Sequence, residues 1–339
     1  MWTHFGKRFV NEEDAPRRIG ESWELSLGPE LPSEVADSGV TLAAEIERAP
    51  DAWLGSQGER AAALLVKLLD ADEPLSVQIH PSDEYPGLGP GEAGKPESWY
   101  VVHRDPGAWV AFGWRDDIGR EDVLGALARA DGSLAAMLQK VEVEVGDVFV
   151  VDAGTPHAIG AGVTLVEPQY VARGRRGVTY RYWDWDRRYD AEGRLDPAGR
   201  PRALAVDDAL AVTDWDGACG RALLDRCFLR AGPPASTAPL AVEGLVGRAA
   251  RLGSRWLGVD RVAGTGSLAW APVDGLSALT VVEGEAELLD EDGRIVVRAT
   301  AGRTIAVPAR TTPLVLCGRG LHAVHSYVAT SPEAATGGR

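Results

Sequence analysis

Leu75-Ser76-Val77-Gln78-Ile79-His80-Pro81 alternates apolar and polar residues, the period of a half-buried β-strand. Side chains two apart share a face, so Ser76, Gln78 and His80 line one wall, and Pro81 ends the ladder. Three polar side chains on one strand face are costly to bury unless something binds them. A metal ion or a polar ligand would supply that partner. Shortly afterwards Gly94-Lys95-Pro96-Glu97-Ser98-Trp99-Tyr100 offers a cation and a carboxylate, and Gly154-Thr155-Pro156-His157-Ala158-Ile159-Gly160 offers a second imidazole on a glycine-bounded turn. Gln78, His80, Glu97 and His157 form a mixed nitrogen and oxygen set suited to zinc or another divalent transition metal. Either histidine alone would more often be structural than a ligand; the four together carry the reading.

Working outward, the chain is rich in short β patterns. Gly20 to Leu27 reads as an early strand, and Thr41 to Arg48 as a helix. Ala61 to Leu69 is a nearly continuous apolar run holding one cation, Lys67. It reads as a buried strand, where Lys67 needs an anionic partner, or as a helix from which Lys67 reaches solvent. Trp99 to Val102 and Ala108 to Phe112 read as a hairpin around Pro106-Gly107. Val141 to Val145 and Val148 to Val151 read as another around Gly146-Asp147. Residues 117–140 carry the spacing of two short amphipathic helices broken at Asp131-Gly132. Further strands are expected at Leu165 to Glu167 and at Thr179 to Trp183, with the basic loop Arg173-Gly174-Arg175-Arg176-Gly177 between them. That loop reads as a solvated surface rather than a substrate clamp. Leu204 to Val212 reads as a helix.

The C-terminal part repeats the pattern. Ala301 to Ala309 matches Val145 to Ala153, and Thr280-Val281-Val282 matches Tyr100-Val101-Val102, which sets Ser277 against Glu97. In such a repeat the second copy lacks the ligands, and His322 and His325 are ordinary tail residues. Leu279 to Glu283 and Glu285 to Leu288 read as two strands joined by a turn at Gly284. Short strands and many glycine and proline turns predict a mainly β protein of two tandem β-barrels. The expected units are residues 1–215, with a helical insertion at about 116–140, and 216–330, followed by a tail over 331–339.

Composition narrows the function. The 339 residues suffice for about two domains at roughly 150 residues each. The net charge of −15 argues against a nucleic-acid or anionic-membrane binder and requires a locally positive pocket for any anionic substrate. Cys219, Cys227 and Cys317 form no paired framework and read as free thiols of a reducing, cytoplasmic compartment. Met1 to Arg8 has no secretory pattern, and no apolar run reaches membrane-spanning length. Only four lysines occur, Lys7, Lys67, Lys95 and Lys140, and Lys67 and Lys95 flank the opening strand. In an arginine-biased chain this suggests positions that suit a compact ammonium.

Gly20-Glu21-Ser22-Trp23-Glu24, the Leu75–Pro81 stretch, Gly94-Lys95-Pro96-Glu97, Gly154-Thr155-Pro156-His157-Ala158 and Thr179-Tyr180-Arg181-Tyr182-Trp183-Asp184-Trp185-Asp186-Arg187 resemble, in order, type I mannose-6-phosphate isomerase, a zinc enzyme of the cupin superfamily. The resemblance covers most of the first two-thirds of the chain. It implies two tandem cupin, jelly-roll-like barrels, one zinc ion per chain held by Gln78, His80, Glu97 and His157, and a monomer or weak homodimer. It further implies active-site roles for Lys95, Arg181 and Glu167, and phosphate contacts from Lys67 and Ser76. A further basic residue often expected beyond the arginine strand has Arg187 and Arg188 as candidates. The family converts mannose 6-phosphate to fructose 6-phosphate.

That chemistry moves a proton between C1 and C2 through an enediol and needs charge stabilisation on the sugar oxygens. Glu167 or Lys95 would shuttle the proton, and the sequence does not order them. Glu167 reads equally as a partner of a metal ligand. Arg181 would hold a sugar oxygen or pair with Asp184 or Asp186. Trp99 and Trp183 are candidate pocket walls. Two rivals stand beside the isomerase: another metal-dependent cupin enzyme such as an oxygenase, and a non-catalytic cupin that binds sugar phosphates.

Overall fold

The computed structural model describes residues 20–36, 38–191, 193–245, 256–271 and 273–329. The readings of Met1 to Arg8, of Lys7 and of the 331–339 tail fall outside the described residues.

The first unit is built from two sheets. Six antiparallel strands run in the order Glu21–Leu25, Leu64–Ala71, Val163–Tyr170, Glu97–Arg104, Asp147–Val151 and Phe228–Arg230. Five more run in the order Tyr180–Trp183, Val77–Ile79, His157–Ile159, Trp109–Trp114 and Leu138–Glu142. The sheets meet face to face through Trp99, Phe112 and Phe149, with ring centroids 6.4 Å and 5.3 Å apart along that chain of contacts. Each such fully buried aromatic contributes about 1.5–3 kcal/mol by leaving water.

Both expected hairpins are corrected. Glu97–Arg104 lies in the six-stranded sheet and Trp109–Trp114 in the five-stranded one, so the Pro106-Gly107 turn carries the chain between sheets. Leu138–Glu142 and Asp147–Val151 are split in the same way. Apolar faces on both members of each pair are better covered across a sandwich than side by side in one sheet. At the second crossing Gly146 takes φ +94°, and a Cβ there would lie 2.0 Å from the Gly232 carbonyl oxygen. Gly146→Ala is therefore expected to cost about 2 kcal/mol or more, read as a lowered melting temperature. An unchanged melting temperature would show that this close approach does not constrain the fold.

Residues 61–69 are a helical turn and then a strand. The 3₁₀ segment Gly55–Ala63 ends where Leu64–Ala71 begins, which places Lys67 in the sheet. Thr41 caps the Leu42–Arg48 helix by accepting from the Ala44 N–H. The insertion is narrower than expected, a helix over Arg120–Arg129 and a 3₁₀ turn over Ser133–Ala136; residue 138 already belongs to the sheet. The expected boundary at 215 also moves. The helix Gly220–Cys227 and the strand Phe228–Arg230 follow it, and Phe228 pairs with Phe149 in the first sheet.

The second unit is a single sheet of unusually long strands, Leu257–Trp270, Ser277–Leu289 and Leu314–Val328, flanked by Ala241–Gly244, Ile295–Thr300 and Thr304–Val307. Gly284 is a bend within one strand, not a hairpin turn. It takes φ +71°, and a Cβ there would lie 2.3 Å from the Gly320 carbonyl oxygen. Register shifts at Glu283/Glu285 exchange which side chains face inward, so Leu279 and Val281 share one core with Ala286 and Leu288. The bent sheet thus folds over its own core.

The expected repeat can be compared at a few strand pairings, and there the registers match. Glu97 pairs with Val151 and Tyr100 with Val148; at the matching places Ser277 pairs with Val307 and Thr280 with Thr304. The Gly146 N–H bonds the Val101 carbonyl as the Gly302 N–H bonds the Val281 carbonyl. His322 and His325 are not tail residues. Both are buried in the last long strand, and His322 Nε2 lies 2.9 Å from Tyr100 Oη of the first unit. Leu257, Val259, Ala278 and Val324 join the core formed with Leu68, Tyr100 and Val166. This second covering explains why Glu97–Arg104 and Asp147–Val151 are buried almost throughout instead of on alternate residues.

Candidate active site

Two cross-strand rows face each other between the sheets. In the five-stranded sheet Arg181 pairs with Gln78, Gln78 with His157, and His157 with Phe112. In the six-stranded sheet Trp23 pairs with Lys67 and Lys67 with Glu167; two residues on, Gln169 pairs with Glu97. Directly paired residues point to the same face. Residues far apart in sequence therefore arrive at one place because strand pairing puts them in register.

His80, Glu97 and His157 converge, with one ligand atom of each within 4.8 Å of the others. His80 Nε2 lies 3.4 Å from Glu97 Oε2, and His157 Nε2 lies 3.5 Å from Glu97 Oε1. The opposite ring nitrogens contact backbone oxygens: His80 Nδ1 lies 3.0 Å from the Val178 carbonyl and His157 Nδ1 lies 2.8 Å from the Thr155 carbonyl. A carbonyl only accepts, so each Nδ1 carries the proton and each Nε2 presents a lone pair. Both Nε2 atoms are buried without a hydrogen-bond donor. Burial lowers the His157 pKa to about 3, with the His80 charge adding to it, and burial followed by Lys95 lowers that of His80. Both rings are thus neutral, as metal ligation requires. Burial pushes the Glu97 carboxyl up, but the Lys95 ammonium beside it holds it well below its ordinary value. Lys95 Nζ is 3.3 Å from Glu97 Oε2.

Glu167 differs from Glu97 in its surroundings. Burial and then the Glu97 charge raise its pKa to about 8, against the opposing pull of Lys95 and Lys67. The two carboxylates share two donors. Trp99 Nε1 lies 3.2 Å from Glu97 Oε1 and 3.1 Å from Glu167 Oε1. The Gln169 amide donates to Glu97 Oε2 at 3.2 Å and also to Glu167 Oε2. One carboxylate is held ionised and its neighbour is pushed toward the protonated form, an arrangement that separates a ligand from an acid–base group.

These buried groups connect to a cavity of about 490 Å³ through Lys95 and Gln169, which both line it. Lys67, Arg173, Arg175, Arg176 and Arg181 also line it, against the single carboxylate of Glu30. This is the local positive field that the acidic chain requires for an anionic substrate. Lys67 has the anionic partner expected of a sheet lysine, with Nζ 3.3 Å from Glu21 Oε1 and 4.3 Å from the centre of the Trp23 ring. Arg181 is not held by the nearby aspartates. Asp184 is held by Arg187, Tyr189 and Arg202, and Asp186 by Trp183 Nε1. Among the described residues Arg181 has no carboxylate partner, and its Nε is buried without an acceptor. Arg187 and Arg188 are not among the lining residues.

Ser76 is buried, its hydroxyl donates to Gln78 Oε1 at 3.4 Å, and like Gln78 it is not among the residues lining the cavity. Two expectations are corrected. The Arg173–Arg176 loop lines the cavity and is not merely a solvated surface. Trp183 packs on Trp185, with ring centroids 4.6 Å apart, and Trp23 takes the wall position. The residue missed was Gln169. It sits two beyond Glu167 on an alternating strand, so the period of two already placed it on the same face.

A profile of the phosphomannose isomerase type I catalytic domain matches residues 4–95. Mannose-6-phosphate isomerase of Streptococcus mutans is 33% identical over 231 residues, 67% of this chain and 63% of that protein. Mannose-6-phosphate isomerase ManA of Bacillus subtilis is 37% identical over 202 residues, 58% of this chain and 61% of that protein. The chain is a relative of the type I phosphomannose isomerases. The aligned stretches span less than two thirds of those curated relatives. In fold the likeness reaches further: the crystal structure of mannose 6-phosphate isomerase from Bacillus subtilis superposes with a TM-score of 0.72 at 23% identity, covering 96% of this chain and 93% of that one. A crystal structure of mannose 6-phosphate isomerase bound with zinc and yttrium gives 0.65 at 15% identity, covering 97% and 95%.

The residues present fit a metal such as zinc. Two orphaned imidazole nitrogens aim at one ionised carboxylate, and their tautomers are set by backbone carbonyls, the usual support for metal-binding histidines. Gln78 stands beside them in register, directly opposite His157. Among the described residues this is the one cluster of three or more such ligating groups.

Proposed function

We propose that this chain is a zinc-dependent aldose–ketose isomerase that interconverts mannose 6-phosphate and fructose 6-phosphate. One ion would be held by Gln78, His80, Glu97 and His157. The observation that carries the reading is the pair of partnerless imidazole nitrogens on either side of one ionised carboxylate, adjoining a cationic cavity. The names of the relatives point to the same substrate. The matched registers of the two units support reading them as tandem cupin barrels. The three cysteines, none of them in a disulfide, suit a reducing cytoplasm.

A bound zinc would polarise the sugar oxygens at C1 and C2. The protein's own groups do the rest. Glu167, with its raised pKa, takes the proton from one carbon as a carboxylate and returns it to the other as an acid. Trp99 and Gln169 hold that carboxyl beside Glu97 without letting the two separate. Lys95 keeps Glu97 ionised. Arg181, in the row with Gln78, stabilises charge developing on the enediol oxygens by charge-assisted hydrogen bonds. Lys67 adds positive charge to the cavity wall for the phosphate end.

A coupled assay of fructose 6-phosphate formation from mannose 6-phosphate tests the whole reading. Turnover should be abolished by a chelator and restored by zinc, with no oxygen uptake. Oxygen consumption without isomerisation would indicate the oxygenase instead. Tight sugar-phosphate binding without turnover would indicate a sensor.

A further inference from the structure

We propose that Arg175, on the basic loop, is the phosphate anchor of this cavity; the assignment rests on the sugar-phosphate reading above. The loop is built into the site. Arg176 pairs with Glu92 and Gly177 with Ala93 in a short parallel ladder that leads directly to Lys95. A Cβ on Gly177 would lie 3.0 Å from Lys95 Cδ, so the root of the loop lies against that lysine side chain. The next residue, Val178, gives its carbonyl to the His80 ring. At the loop tip the Arg175 N–H closes a turn onto the Ala172 carbonyl at 3.0 Å, with Gly174 at φ +74°. The loop therefore stands on the cavity rim, tied to the elements that carry Lys95 and a metal ligand.

The charges around the cavity single out one residue. Lys95 is paired with Glu97 and Lys67 with Glu21. Arg173 is paired with Glu47 and Glu59, and Arg176 with Glu92. Among the described residues the cavity-lining cations without a carboxylate partner are Arg181 and Arg175. Arg181 stands over Gln78 at the reacting end. Arg175 has only a 3.5 Å contact from Nη1 to the Glu92 carbonyl, which leaves most of its planar fork of donors open. A guanidinium offers two parallel donors to a phosphate and keeps its charge at any working pH.

The experiment compares wild type, Arg175→Ala and, as a control away from the cavity, Arg294→Ala, an exposed arginine of the second unit paired with Asp292. Kinetics with mannose 6-phosphate are combined with calorimetric binding of inorganic phosphate and of mannose 6-phosphate. Arg175→Ala should raise KM and both dissociation constants by about tenfold or more while kcat stays within about twofold, because it removes binding remote from the reacting carbons. Arg294→Ala should change these constants by less than about threefold. Arg175 is exposed, so its variant should keep the wild-type melting temperature. Unchanged phosphate and sugar-phosphate binding in Arg175→Ala would overturn the assignment. A wild-type protein that binds the sugar phosphate but does not isomerise it would overturn the proposed activity alone, since the binding arm still tests Arg175.

Discussion

His157→Ala is expected to lose bound metal and isomerase activity together. Its imidazole supplies one of the two buried nitrogens aimed at Glu97, and no neighbouring group donates to that nitrogen. A metal centre contributes several kcal/mol of charge stabilisation in the transition state. Losing about 4 kcal/mol corresponds to roughly a thousandfold drop in kcat/KM. Metal content measured by elemental analysis should fall in parallel, and Gln78→Leu should follow the same course. Loss of activity with full metal occupancy would remove His157 from the ligand set. Retained activity in a metal-free variant would overturn the metal-dependent reading altogether.

The second large effect concerns Glu167. Glu167→Gln keeps the shape and the hydrogen-bonding reach but cannot exchange a proton. A positioned acid–base group contributes about 10²–10⁴-fold, so kcat should fall by that amount while metal content stays at the wild-type level. Unreduced kcat would pass the proton shuttle to Lys95. Stability gives an independent readout. In the metal-free protein the folded carboxyl keeps its proton up to about pH 8, whereas the ordinary value is 4.5. The folded state therefore binds more protons across that window, and its stability declines as pH rises from 4.5 to 8. Gln carries no such penalty. Metal-free Glu167→Gln should melt above metal-free wild type at pH 8.5 and approach it near pH 4.5. Identical melting curves at both pH values would show that Glu167 is not held in its protonated form.

The opening strand and the glycine-bounded histidine turn were legible because both depend on local rules. Alternation places Ser76, Gln78 and His80 on one face whatever the sheet around them. The internal repeat was legible for the same reason, since matched glycine turns and apolar runs recur at matched places. The hairpins were misread because a turn such as Pro106-Gly107 says that the chain reverses, not which sheet it enters. The loop of arginines was misread because sequence gives a count of charges but not their partners.

Patterns along the chain sufficed for a mainly β protein and for the types of residue able to bind a cation. Those are properties of neighbours along the chain: period, turn chemistry and ligand chemistry. The tertiary structure alone decided which carboxylate stays ionised and which is pushed toward its protonated form. That outcome depends on burial and on Lys95, Trp99 and Gln169 lying where three strands of one sheet come into register. It also decided that Arg175 keeps its donors open at the rim. Electrostatic partners are set by distance in space, and strand pairing between segments as remote as 67, 97 and 167 is what brings those distances within reach.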